Sequence, residues 1–137
     1  MRMDMNNRRQ EGFTLIELLI VIVILGLLMS LVAPTMFSKV DSTKVKTAKA
    51  QMQMIRTALD TYRLDIGDYP KTLDELWQSV EASWDGPYMP KKVPSDPWGN
   101  AYRYVKPGPD GKPFSLLSFG KDGKVGGTDN ASDVIHE

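Results

Sequence analysis

Glu17 occupies the setting in this chain that most needs a chemical explanation. From Phe13 to Ala33 it is the only formally charged residue. A carboxylate inside a bilayer costs about 2.5–3.5 kcal/mol even on insertion scales, so it must either reach the headgroups or meet a cation. A second set of oxygens lies near the C-terminus. Asp122, Asp129 and Asp133 sit in a stretch dense with glycine, at Gly120, Gly123, Gly126 and Gly127. A glycine-rich loop can curl so that carboxylates and backbone carbonyls converge on a hard cation such as calcium, which takes six to eight oxygens. The spacing is not that of an EF-hand, and a solvated acidic tail is the alternative. The chain offers no catalytic group of comparable promise. It has no cysteine and one histidine, His136, beside the C-terminus, so thiol chemistry and a zinc site are disfavoured. No serine stands in a nucleophile elbow, and Asp65 and Asp68 flank the end of a helical pattern as capping and turn residues rather than as an acid–base pair. The chain therefore reads as a non-enzyme.

The elements that must position these groups follow from the hydropathy pattern. Phe13–Ala33 holds 21 residues. At about 1.5 Å per helical residue it spans roughly 31 Å, the thickness of a bilayer's hydrocarbon core. The polar residues before it carry Arg2, Arg8 and Arg9, which favour a cytoplasmic N-terminus. A cleaved secretory signal would have a shorter apolar core and a small-residue cut site, whereas here the core is long and Pro34 follows it. A plain signal anchor accounts for the length but not for Glu17.

Pro34 is expected to break or kink a continuing helix. Beyond it Val45, Ala48, Met52, Ile55, Leu59, Tyr62 and Ile66 recur at spacings of three and four, one apolar stripe on an amphipathic helix. Lys39, Lys44, Lys46 and Lys49 cluster after the apolar run, although the whole chain balances 17 basic against 17 acidic residues. With no net field, nucleic acid is not an expected partner. Gly67-Asp68-Tyr69-Pro70 ends the helix. Thr72 and Glu75 have capping-box spacing over a short helix. Trp84 and Tyr88 lie in a turn-rich loop and are expected to pack on the core. Asp96–Asn100 reads as a turn, 101–105 and 114–119 as strands, and 107–111 as the hairpin loop between them. The predicted class is α+β, a long helix, transmembrane then amphipathic, packed on a small antiparallel sheet.

Gly12-Phe13-Thr14-Leu15-Ile16-Glu17 resembles the processing site of type IV pilins and of type II secretion pseudopilins. Further along, Tyr62-Arg63-Leu64-Asp65, Gly67-Asp68-Tyr69-Pro70, Pro94–Asn100, Ser118–Gly123 and Gly126-Gly127-Thr128-Asp129 together resemble the major pseudopilins of type II secretion systems. The resemblance implies a pilin-like fold. It implies three regions: a leader, 1–12, a transmembrane and assembly helix, 13–34, and a periplasmic globular domain, 35–137. It implies that a prepilin peptidase cuts between Gly12 and Phe13 and methylates the new amine of Phe13. Glu17, one turn from that amine, would then serve assembly, within a subunit or between neighbours.

The resemblance also implies one bound calcium, with side-chain oxygens from Asp122, Asp129 and Asn130 and backbone carbonyls from Phe119 and Lys124. Asn130 stands where the family often has a second acid, and Asp133 is a possible substitute. The tail Val134-Ile135-His136-Glu137 lacks the family's usual tryptophan. The implied function is a structural subunit. It would polymerise with itself into the periplasmic pseudopilus that aids export of folded proteins across the outer membrane, alongside minor pseudopilins and an inner-membrane secretion platform. The alternative is a type IV pilus or DNA-uptake subunit, of which pilus subunits often carry a cysteine-closed loop that this chain lacks.

Overall fold

The computed structural model describes residues 11–127 and 133–135. The chain divides into two compact units, Met1–Ser38 and Lys39–Glu137.

Helix α1 runs from Leu15 to Ile66. In the first unit every described residue is exposed, from the bulky side chains of Leu18 and Val21 to Leu31 and Val32. An apolar helix whose described side chains are all exposed has the composition and length of a membrane span. The expected break at Pro34 does not occur, since the residues on both sides stay helical. A proline removes one i to i−4 bond and costs about 3 kcal/mol. Pro34 lies well inside a 52-residue helix, whose other turns outweigh that loss.

The second unit is built on the amphipathic part of α1. Ala48, Met52, Ile55, Ala58, Leu59 and Tyr62 are buried there, with Val45 and Ile66 packed at the margins. This is the stripe the sequence spacing predicts, widened by Ala58. Leu76, Met89, Tyr102, Leu116 and Val134 complete the core from the other side. Replacing Leu59, fully buried, by alanine removes apolar contacts and leaves a cavity. The expected loss is about 2–5 kcal/mol, read as a lowered denaturant midpoint with unchanged slope.

The sheet is three-stranded and antiparallel, in the order β1 (Arg103–Val105), β2 (Ser115–Ser118), β3 (Val134–Ile135). Arg103 pairs with Leu117 and Val105 with Ser115, while Ser118 pairs with Val134. The first two strands lie inside the predicted ranges. β3 was not foreseen, because two residues give no periodicity to read.

All five tyrosines donate their phenolic proton to a fixed acceptor, and four of the acceptors are polar groups on α1 or near its end. Tyr69 reaches Asp60 Oδ1 at 2.9 Å, Tyr88 reaches Asp65 Oδ2 at 2.7 Å, and Tyr102 reaches Gln51 Oε1. Tyr104 bonds the Pro70 carbonyl at 2.7 Å. Burial, reinforced by neighbouring carboxylates, raises the pKa of Tyr102 and Tyr104, so both stay neutral donors. Asp65 is thus a tether to the 81–88 loop and not a helix cap. Asp68 does act in the turn, accepting the Tyr69 N–H at 2.8 Å, and also pairs with Lys106 Nζ at 2.6 Å. Its carboxyl pKa is lowered chiefly by that lysine.

The capping box expected at Thr72 and Glu75 is not formed. Leu73–Leu76 is a single 3-10 turn, and Thr72 makes no side-chain cap bond. Glu75 instead accepts the Tyr62 hydroxyl at 2.8 Å. Burial first, and this bond second, push the Tyr62 pKa up to about 12. A partly desolvated carboxylate gains more from a fixed phenol than from an exposed backbone amide. Trp84 and Tyr88 pack edge-on at 5.8 Å between ring centres, and the Trp84 indole donates to the Glu75 carbonyl at 2.8 Å. The predicted core role of both aromatics is met.

Candidate functional site

Two regions carry the chemistry singled out from the sequence, and each is built locally. At the start of α1, Gly12 and Phe13 belong to no regular element and Phe13 is 86 % exposed. An exposed, non-helical dipeptide ahead of a helix is the form in which a peptidase can engage a backbone. Thr14 and Glu17 then close a reciprocal cap. Glu17 Oε2 accepts the Thr14 N–H at 2.9 Å, and Thr14 Oγ1 accepts the Glu17 N–H at 3.2 Å. This is a capping box, formed here and not at Thr72. The spacing Thr14-Leu15-Ile16-Glu17 carries the capping-box signal, set inside an otherwise apolar run. The carboxylate also faces the positive end of the helix dipole. The charge at position 17 is therefore held at the helix mouth, four residues from Phe13.

The C-terminal region begins where β2 ends. Ser118 is fully buried, and its hydroxyl donates to Asp96 Oδ2 at 2.5 Å. Asp96, also buried, accepts the backbone N–H groups of Trp98 at 3.1 Å and Asn100 at 2.8 Å on its other oxygen. Sequence alone does not reveal this role, because an aspartate opening a turn ordinarily faces solvent. Gly120–Asp122 forms a 3-10 turn, bounded by Gly120 at φ 72° and Gly123 at φ 65°. Both values lie in the left-handed region that glycine occupies without strain. Asp122 Oδ1 accepts the Lys124 N–H at 3.1 Å, and Asp133 Oδ2 accepts the Gly126 N–H at 3.0 Å.

Of the predicted calcium ligands, Phe119, Asp122 and Lys124 fall within the six positions 119–124 around this turn, whereas Asp129 and Asn130 lie outside the described residues. Among the described residues no three acidic or histidine side chains converge as a metal cluster. One observation does bear on fit. Asp133 Oδ1 is buried and has no hydrogen-bond partner among the described residues. An ionised oxygen shut away from both water and donors is stabilised by a cation. With the carboxylate of Asp122 and a loop of left-handed glycines beside it in sequence, the donor set suits a hard, oxygen-seeking ion. A groove of about 430 Å³ in the same unit is lined by residues including Lys71, Lys92, Arg103 and Tyr102.

Residues 7–33 match the model of the prokaryotic N-terminal methylation motif. An apolar, carboxylate-capped helix that continues into a helix-on-sheet unit, behind such a motif, defines the pilin-like class of membrane-anchored subunits. Residues 35–137 match the family model described as type II secretion system (T2SS), protein G. The type II secretion system core protein G of Pseudomonas aeruginosa is 46% identical over 138 residues, covering 95% of this chain and 96% of that one. That of Escherichia coli K12 is 38% identical and covers 91% of each. Among solved structures, the major pseudopilin from the type 2 secretion system of enterohaemorrhagic Escherichia coli matches with TM-score 0.53 and 26% identity, over 72% of this chain and 90% of that chain. The chain belongs to the type II secretion protein G family, the major pseudopilins, and its role is that of a structural subunit. A type IV pilus or DNA-uptake role is not favoured by these matches.

Proposed function

We propose that this chain is inserted in the bacterial inner membrane with its N-terminus cytoplasmic, cut between Gly12 and Phe13, methylated at Phe13, and polymerised through its apolar helices into a periplasmic pseudopilus. The observation that carries this reading is the N-terminus of α1, where an exposed Gly12-Phe13 step precedes a helix whose sole apolar-run charge, Glu17, is held at the helix mouth.

Cutting after Gly12 creates an ammonium four residues from Glu17, one helical turn. Among the described residues the carboxylate accepts the Thr14 amide, a neutral donor. A new ammonium, the subunit's own or a neighbour's, supplies the opposite charge that makes a buried carboxylate tolerable. Contacts of one subunit type repeated head to tail give an open helix. Apolar helices can then leave lipid together and bundle, with the Lys39–Glu137 units carried on the filament. Prepilin peptidase, the minor pseudopilins and the inner-membrane platform are the partners this scheme requires.

In the C-terminal loop the carbonyls of Phe119 and Lys124, the carboxylates of Asp122 and Asp129 and the amide oxygen of Asn130 would hold one calcium ion. Asp133 would add the charge that Asn130 lacks. The ion supplies positive charge that offsets repulsion among these acids.

Orientation is open to a direct test, because the chain has no cysteine of its own. A single reporter, Val80→Cys, replaces a fully exposed side chain. It should react with a membrane-impermeant maleimide once the outer membrane alone is permeabilised. Reaction only after the inner membrane is broken would contradict the assigned topology.

A further inference from the structure

The hydroxyl of Ser118 lies between two groups that a serine can serve at once. It donates its single proton to Asp96 Oδ2 at 2.5 Å, and its oxygen accepts the Gly120 N–H at 3.2 Å. Ser118 is fully buried, so water does not compete for either bond. Asp96 in turn is fixed on its other oxygen by the Trp98 and Asn100 amides. The proton has one place to go, and the serine lone pairs are left for Gly120. A peptide unit is planar, and in the trans form its C=O points opposite to its N–H. Pinning the Gly120 N–H on Ser118 therefore fixes the direction of the carbonyl of Phe119, which belongs to the same peptide plane.

The far end of the same 3-10 turn is set against the same platform. A Cβ at Gly123 would lie 3.1 Å from Asn100 Nδ2, and Asn100 is itself bonded to Asp96 through its amide. Gly120 and Gly123, the two ends of the turn that presents Asp122, are thus both referred to the Asp96 turn.

We propose that Ser118, oriented by Asp96, is a positioning residue for calcium: it holds the Phe119–Gly120 peptide so that the Phe119 carbonyl faces the ion. The inference rests on the calcium reading given above and adds to it a pair of residues that touch no metal. Residues that orient the ligands of a metal change its affinity by about 10- to 100-fold when altered.

The test measures calcium affinity by titration calorimetry on the full-length processed protein in detergent micelles, with melting temperatures taken in chelator and in calcium. Ser118→Ala removes the acceptor for Gly120. Asp96→Asn, of equal size, lets an amide N–H compete for the serine lone pairs. Each should weaken calcium binding by about tenfold or more and shrink the calcium-dependent rise in melting temperature. Ser118→Thr, which keeps the hydroxyl, should restore affinity to within a few-fold of the parent. Wild-type affinity in either folded variant, with only the chelator-state melting temperature lowered, would overturn the positioning role and leave the calcium reading intact. A parent chain that takes up no calcium would overturn both.

Discussion

Glu17→Ala is expected to abolish pseudopilus filaments while leaving membrane insertion intact. Removing the carboxylate relieves an insertion cost, at most the about 2.5–3.5 kcal/mol of a charge at the bilayer centre, so the apolar helix enters the bilayer at least as readily. Assembly suffers, because each subunit then leaves an ammonium without its counter-charge, and breaking one side of a buried pair costs about 3–5 kcal/mol. Repeated at every subunit, that loss prevents elongation. The capping geometry makes a sharper comparison possible. Glu17 Oε2 accepts the Thr14 amide, and glutamine can keep this bond without the charge. Glu17→Gln should therefore retain the helix start and still fail to assemble. Filaments from Glu17→Gln at parental yield, seen by electron microscopy of sheared cells, would reduce Glu17 to a helix cap.

Withdrawal of calcium should be the second large effect. An ion bound only by the folded chain stabilises it by RT ln(1 + [L]/Kd), about 2.7 kcal/mol at a hundredfold excess over Kd. In a domain of this size each kcal/mol moves the melting temperature by roughly 4–8 °C, so chelation should lower it by about 10 °C or more. That is a large part of the roughly 5–15 kcal/mol that holds a small domain together. Asp122→Ala should melt low in either condition and respond little to added calcium. Equal melting temperatures of the parent in calcium and in chelator would remove the ion from the account.

Much of this architecture was legible in the residue pattern because it rests on periodicity. The stripe from Val45 to Ile66 marks the buried face of α1 correctly, and alternation locates β1 and β2. The features that escaped depend on partners distant in sequence. Glu75 looks like a cap for Thr72, but Tyr62, thirteen residues away, takes it instead. Asp65 looks like a helix-end residue, but Tyr88 reaches it across 23 positions. Pro34 reads as a breaker when local bonding alone is weighed, and the helix continues through it. For the sites the division is similar. Gly12, Phe13 and Glu17 announce themselves by contrast with their surroundings. Asp96 and Ser118 do not, because nothing local distinguishes a turn aspartate on the surface from one buried beneath a neighbouring strand.

The proposed assembly turns on a new amine being made beside Glu17. Mass spectrometry of the protein extracted from membranes of cells with an intact secretion system tests this most directly. The mature chain should begin at Phe13, lack residues 1–12, and carry one methyl group on its N-terminal nitrogen. A polypeptide in the membrane or in filaments that still begins at Met1 would contradict it.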